Sequence, residues 1–133
     1  MPRGKIGTLG VYMNGVPVDL PVQCLVGREV THIGLAMHQL KIHFDGGALI
    51  DIEGSWNLRD RTGKVIDQQC DPPTERDAYR IHRLLSQAVA AASVDAPRSF
   101  TLTFASGDAL TVLDDSRRYE SFSLRVDGHE LHI

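Results

Sequence analysis

Cysteine is scarce in this 133-residue chain: Cys24 and Cys70 are the only two, and no CxxC spacing joins them. That rules out a disulfide framework and a zinc or redox dithiol motif, so both read as reduced thiols, Cys24 expected buried and Cys70 in a loop. Positive charge is short as well. Fourteen Lys and Arg against seventeen Asp and Glu leave a net charge of −3, which offers no cation surplus for counterion release and argues against a DNA or RNA partner. Apolar runs near the twenty residues of a membrane span are missing. The N-terminal Met1-Pro2-Arg3-Gly4-Lys5 leads into Gly7-Thr8-Leu9-Gly10 rather than an apolar signal core. The expected protein is cytoplasmic, with no membrane and no nucleic-acid partner.

What is present is the composition of an ordinary globular domain, 42% hydrophobic and 23% charged, with enough chain for one core but not two. The expected organisation is a single domain over 1–133. An N-terminal hairpin occupies 1–23, a first β repeat 24–60, a loop and helix 61–88, and a second β repeat 89–133.

Turn signals divide the chain. Asn14-Gly15 between Val11-Tyr12-Met13 and Val16-Pro17-Val18 predicts a hairpin, and Pro17, lacking an N–H, puts its second strand at a sheet edge. Leu40, Ile42 and Phe44 alternate with polar residues, Asp45-Gly46-Gly47 turns the chain, and Ile50 and Ile52 alternate in turn. Phe100, Leu102 and Phe104, the Ser106-Gly107-Asp108 turn, then Leu110 and Val112 repeat that design. The two hairpins superimpose at an offset of 60, and Leu25 to Val30 falls on Leu84 to Val89 at an offset of 59. Trp56-Asn57-Leu58-Arg59 and Phe122-Ser123-Leu124-Arg125 follow them, offset by 66. The pattern reads as a divergent internal repeat.

One segment has helical periodicity. After Asp71-Pro72-Pro73, Thr74 is placed to cap a helix from Glu75, with Ala78, Ile81, Leu84, Leu85 and Ala88 sharing a face. Alanine's propensity would extend it through Ala88-Val89-Ala90-Ala91-Ala92, whereas the repeat demands a strand there; the reading taken is a helix ending near Leu85 to Ala88. The predicted fold class is α+β: two similar antiparallel β units packed as a sandwich or partly closed barrel, an N-terminal hairpin and one helix. The predicted core is Val30, Ile33, Leu40, Ile42, Phe44, Ile50, Ile52, Trp56, Leu58, Ile81, Leu84, Phe100, Leu102, Phe104, Leu110, Val112, Phe122 and Leu124.

Leu25-Val26-Gly27-Arg28-Glu29-Val30, Phe44-Asp45-Gly46-Gly47, Trp56-Asn57-Leu58 and Tyr119-Glu120-Ser121-Phe122-Ser123-Leu124 together resemble a group of small uncharacterised bacterial proteins common in actinomycetes. The resemblance covers residues 25–126. It implies a β-rich two-repeat fold and no established catalytic residues; some such proteins are similar in size and organisation to toxin-neutralising immunity proteins.

Chemistry-bearing patterns are weak. His129 and His132 are three apart, where a zinc-protease helix needs four. His32 and His43 would meet if the strands around Val30 and Ile42 pair, with Asp51 near, which makes them candidates for a metal or acid–base site. Yet Lys41 disfavours a cation, and the same residues suit any solvated sheet face. No nucleophile elbow, triad or phosphate loop is present, so neither catalytic residues nor a cofactor is assigned. The densest exposed group is Arg117, Arg118, Tyr119 and Glu120, whose guanidinium and phenol groups suit a partner-binding loop, or whose charges pair among themselves. The expected function is a non-enzymatic protein-interaction module, immunity-like in its specific form. The alternatives are a small-ligand domain with its pocket between the repeats, and a metal-dependent or hydrolytic enzyme using His32, His43 and Asp51. The sequence leaves a homo-oligomer through edge strands open.

Overall fold

The computed structural model describes residues 16–37, 39–69, 80–114, 122–126 and 129–132. Its strands are β1 (Val30–Ala36), β2 (Gln39–Phe44), β3 (Leu49–Ile52), β4 (Trp56–Arg59), β5 (Val65–Gln69), β6 (Val89–Asp95), β7 (Ser99–Phe104), β8 (Ala109–Leu113), β9 (Phe122–Val126) and β10 (His129–His132). They form two five-stranded sheets, β1-β2-β3-β9-β10 and β5-β4-β8-β7-β6, in which every pairing is antiparallel.

The element order runs twice. A 3-10 turn at Val22–Leu25 precedes β1, and its counterpart at Ile81–Leu84 precedes β6, 59 residues later. A hairpin and a third strand follow in each half, and then two strands cross to the other half's sheet. Thus β4 pairs with β8, as Leu58 against Leu110, and β9 pairs with β3, as Ile50 against Leu124. Each sheet is completed by the other half of the chain, so neither half buries its apolar face alone.

The halves also join where β1 and β6 begin. Gly27 donates to Val89 O at 2.8 Å and Ser86 to Val30 O at 2.8 Å; Val89 donates to Arg28 O and Val30 to Gln87 O, both at 2.9 Å. Both Gly27 (φ 89°) and Ser86 (φ 68°) are left-handed, the conformation that turns each chain from its 3-10 turn onto this shared bridge. Glycine adopts it without strain, while Ser86 does so with a side chain. Arg28 and Gln87 then perform one task with different chemistry. Arg28 Nε donates to Cys24 O (2.9 Å) and Gln87 Nε2 to Arg83 O (2.9 Å), each tying a 3-10 turn to the strand after it.

The space between the layers is filled. Trp56, Phe100, Phe104 and Phe122 are fully buried with the aliphatic residues of both sheets, and the Phe100 ring meets Phe122 edge-on at 4.9 Å. Of the predicted core only Ile33 is not fully buried; it packs against the core from the edge strand β1.

The structure corrects the predicted α+β class. Among the described residues there is no α-helix, only short 3-10 segments, and the two layers do not close into a barrel. Ile81–Leu84 is a single 3-10 turn, in which residues three apart share a face as they would in a helix; Ala88 already bridges Glu29, and β6 starts at Val89. Pairing with β7 overrides alanine's helix propensity there. Thr74, Glu75 and Ala78 lie outside the described residues, as do Val11 to Gly15 of the predicted N-terminal hairpin. Residues 16–18 form no strand: Val16 is buried and donates to Pro97 O at 2.9 Å. Cys24, expected to be buried, is exposed on its 3-10 turn between buried Val22 and Leu25. Among the described residues no helix is long and apolar enough to cross a membrane.

Candidate functional site

Strand alternation divides each sheet into a core face and an outer face. On the first sheet, burial of Leu40, Ile42, Phe44, Ile50, Ile52, Phe122 and Leu124 sends the residues between them outward. One row then crosses four strands in register: His32 opposite His43, His43 opposite Leu49, and Leu49 opposite Arg125. In the next row Gly34 is opposite Lys41, Lys41 opposite Asp51 and Asp51 opposite Ser123.

Of the three metal or acid–base candidates, the structure brings two together. The His32 and His43 rings lie 5.1 Å apart in an edge-to-face arrangement. Asp51 does not join them: its register position faces Lys41, and both carboxylate oxygens accept from Gln39 Nε2, at 2.8 and 3.0 Å. Among the described residues no group of three or more His, Cys, Asp or Glu is placed to hold a metal. Asp51, the carboxylate expected to orient the pair, is thus engaged by Gln39 instead.

His43 is held below its usual basicity, chiefly by partial burial and then by the positive fields of His32, Lys41 and Arg125, which Asp51 opposes. Because its folded pKa lies below the unfolded value of 6.5, the unfolded chain takes up the proton first. The His43 contribution is thus complete above pH 6.5 and is lost as pH falls from there through the depressed folded value. Thermal melts between pH 7 and pH 5 are expected to show this loss, and His43→Gln is expected to flatten it; an unchanged pH slope in the variant would remove His43 as its source.

The outer face of the second sheet is different in kind. Ser93, Thr101, Thr111, Asn57 and Gln68 cross it in register, with Ala91, Thr103, Ala109 and Arg59 in the adjoining row. Apart from Arg59, whose Nε donates to Asn57 Oδ1 at 3.3 Å, these side chains are uncharged, and the Thr101 and Thr111 hydroxyls satisfy each other at 2.9 Å.

A polar cluster that sequence reasoning missed surrounds Asp108, which is 2% exposed. Its Oδ2 accepts from Arg83 Nε at 3.0 Å and Gln87 Nε2 at 3.2 Å, while Gln87 Oε1 accepts from the Ser106 hydroxyl at 2.6 Å. The cluster locks the β7–β8 turn onto the second 3-10 turn and is structural. Its one sequence signal was the Asp in the Ser106-Gly107-Asp108 turn.

Arg117, Arg118, Tyr119 and Glu120 lie outside the described residues, between β8 in one sheet and β9 in the other, and so does Cys70. His129 and His132 occupy β10 positions opposite Val126 and Ser123. The space between the repeats, where a ligand pocket is expected, holds the buried residues of both sheets.

No curated protein and no solved structure matches the chain. A family model matches residues 21–133, which hold every strand of both sheets. On that match the chain belongs to DUF6188, a family of unknown function.

Proposed function

We propose that this bacterial protein is a non-enzymatic, cytoplasmic protein-interaction module whose recognition surface is the outer face of the first sheet. The observation that carries this reading is the contrast between the two outer faces. The first presents His32, His43, Lys41, Leu49 and Arg125 in adjoining register positions, a mixture of donors, acceptors and apolar surface. The second presents mainly uncharged side chains in its central rows, Ser93, Thr101, Thr111 and Asn57 beside Ala91, Thr103 and Ala109, with Arg59 as the cation of the second row.

Two physical arguments favour a macromolecular partner. A row of side chains along a strand face presents an extended surface, which suits another protein better than the enclosure a small molecule requires. The side chains are also held before a partner arrives, His32 against His43 and Gln39 across both oxygens of Asp51, so less side-chain freedom is lost on binding. At the end of this face the β1–β2 turn carries Met37, 78% exposed, an adaptable apolar anchor. In the immunity-like form of this reading the partner is a bacterial toxin occluded by this face.

The test is a comparison of faces. The full chain carrying Lys41→Glu with Met37→Asp, and separately the chain carrying Thr111→Lys, are used as bait in host lysate, and recovered proteins are quantified against wild type. The first bait is expected to lose a specific partner that the Thr111 variant retains. Equal recovery by both, or loss only with Thr111→Lys, would contradict the assignment.

A further inference from the structure

The outer edges of β1 and β6 are equivalent in register yet differently occupied. In an antiparallel ladder, alternate residues turn their N–H and C=O groups away from the neighbouring strand. Ala92 of β6, opposite Leu102 of β7, is such a residue, because its carbonyl accepts from Gln23 Nε2 at 2.6 Å. The 3-10 turn that carries Gln23 packs against β6 and occupies that edge. Ile33 of β1, opposite Ile42 of β2, stands 59 residues earlier at the equivalent position, so its backbone groups point outward too. The parity extends to Leu35. At Val30 the outward groups are already bonded to Gln87 and Ser86. Beyond it, among the described residues, no backbone bond from outside the sheet reaches the outward groups of Ile33 or Leu35.

Folded proteins blunt such edges with charged side chains or proline. From Val30 to Ala36 the strand reads Val-Thr-His-Ile-Gly-Leu-Ala, with neither proline nor any Lys, Arg, Asp or Glu. Leu35 is 43% exposed on it.

We propose that β1 pairs antiparallel with β1 of a second copy of this chain, about a two-fold axis at Gly34, joining the two first sheets into one continuous ten-stranded sheet. The strand is complementary to itself in that register. Ile33 exchanges bonds with the other copy's Leu35, Leu35 does so with its Ile33, and no ionised pair of like sign is brought together. Gly34, the one residue of the strand without a side chain, meets its equivalent at the axis, where the two strands cross closest. The outer faces of both copies then lie side by side, with the two His32–His43 pairs flanking the axis, and the recognition surface becomes bivalent. The second copy is favoured over a foreign strand because this neutral, self-complementary edge carries no charge with which to select another partner.

The experiment is sedimentation equilibrium of the full chain. Wild type is expected at twice its 14.7 kDa. Leu35→Pro removes only an outward N–H, a change an edge strand tolerates, and Leu35→Lys places a charge on the edge. Each is expected to weaken the dimer at least about tenfold while far-UV circular dichroism stays that of wild type. If Leu35→Pro disturbs the fold, Leu35→Lys decides. A wild-type monomer at the highest attainable concentration would overturn the proposal, and so would a dimer that survives Leu35→Lys. Failure here leaves the face comparison above intact, because that test reads Lys41, Met37 and Thr111 and not the edge.

Discussion

Phe122→Ala is expected to cost about 3–5 kcal/mol, the usual range for removing a buried phenylalanine ring. Domains of this kind have only about 5–15 kcal/mol in total, so the variant should lose a large part of its stability. The position explains the size of the effect. Phe122 opens β9, a strand from the second half of the chain that pairs with β3 of the first, with Ile52 opposite it. Its ring then reaches across the layers to Phe100 of β7, at 4.9 Å and 61°. One side chain thus joins sheet to sheet and half to half. Urea denaturation should show a lower midpoint with an unchanged slope, whereas Ser123→Ala, next along β9 and facing outward, should stay within about 0.5 kcal/mol of wild type. A double-mutant cycle with Phe100→Leu should give a coupling of about 0.5–1.5 kcal/mol. Additive single effects would mean that the two rings do not act together.

Asp67→Ala is expected to be the most damaging polar substitution, at about 1.5–3 kcal/mol. Asp67 lies on β5, 6% exposed, and its Oδ2 accepts from the backbone N–H groups of Arg80 (2.7 Å) and Ile81 (2.9 Å). The first turn of a 3-10 segment has no internal acceptors for these donors, and the Ile81 amide is buried. The carboxylate of a strand in the chain's first half therefore caps the turn that opens the second. Asp67→Asn keeps an acceptor oxygen at the site and should recover part of the loss. If alanine and asparagine were equally harmful, the cap would not be the cause.

Strand alternation made most of the core legible, because a period of two is a local property that needs no knowledge of the partner strand. The β2–β3 and β7–β8 hairpins could be read from Leu40 to Ile52 and from Phe100 to Val112 for that reason. Exchange of strands between sheets could not, since the alternation of Trp56 and Leu58 states which side is buried but not which sheet they join. β5 falls in the segment expected to be loop, and its run Asp67-Gln68-Gln69 carries no apolar alternation to mark a strand. Its signal was the turn before it, where Asp60 accepts from the Thr62 hydroxyl (2.6 Å) and the amides of Thr62 and Lys64. Those bonds, the hydroxyl's above all, hold its carboxyl below the usual range. The predicted helix failed where local propensity and the repeat disagreed: Val89 falls on Val30, and strand pairing prevailed over a run of alanines. At the site, the His32–His43 meeting followed from pairing the strands around Val30 and Ile42. The exclusion of Asp51 depended on register and on Gln39, which composition does not reveal.

The most direct measurement of the central claim is site-specific photo-cross-linking in the native host. A photoreactive residue is introduced singly at Lys41 on the outer face of the first sheet and at Thr111 on that of the second. The account predicts one discrete heterologous protein cross-linked from position 41 and absent from position 111. Cross-linking from position 111 alone, or from neither position, would contradict the claim that the first sheet's outer face is where this protein meets its partner.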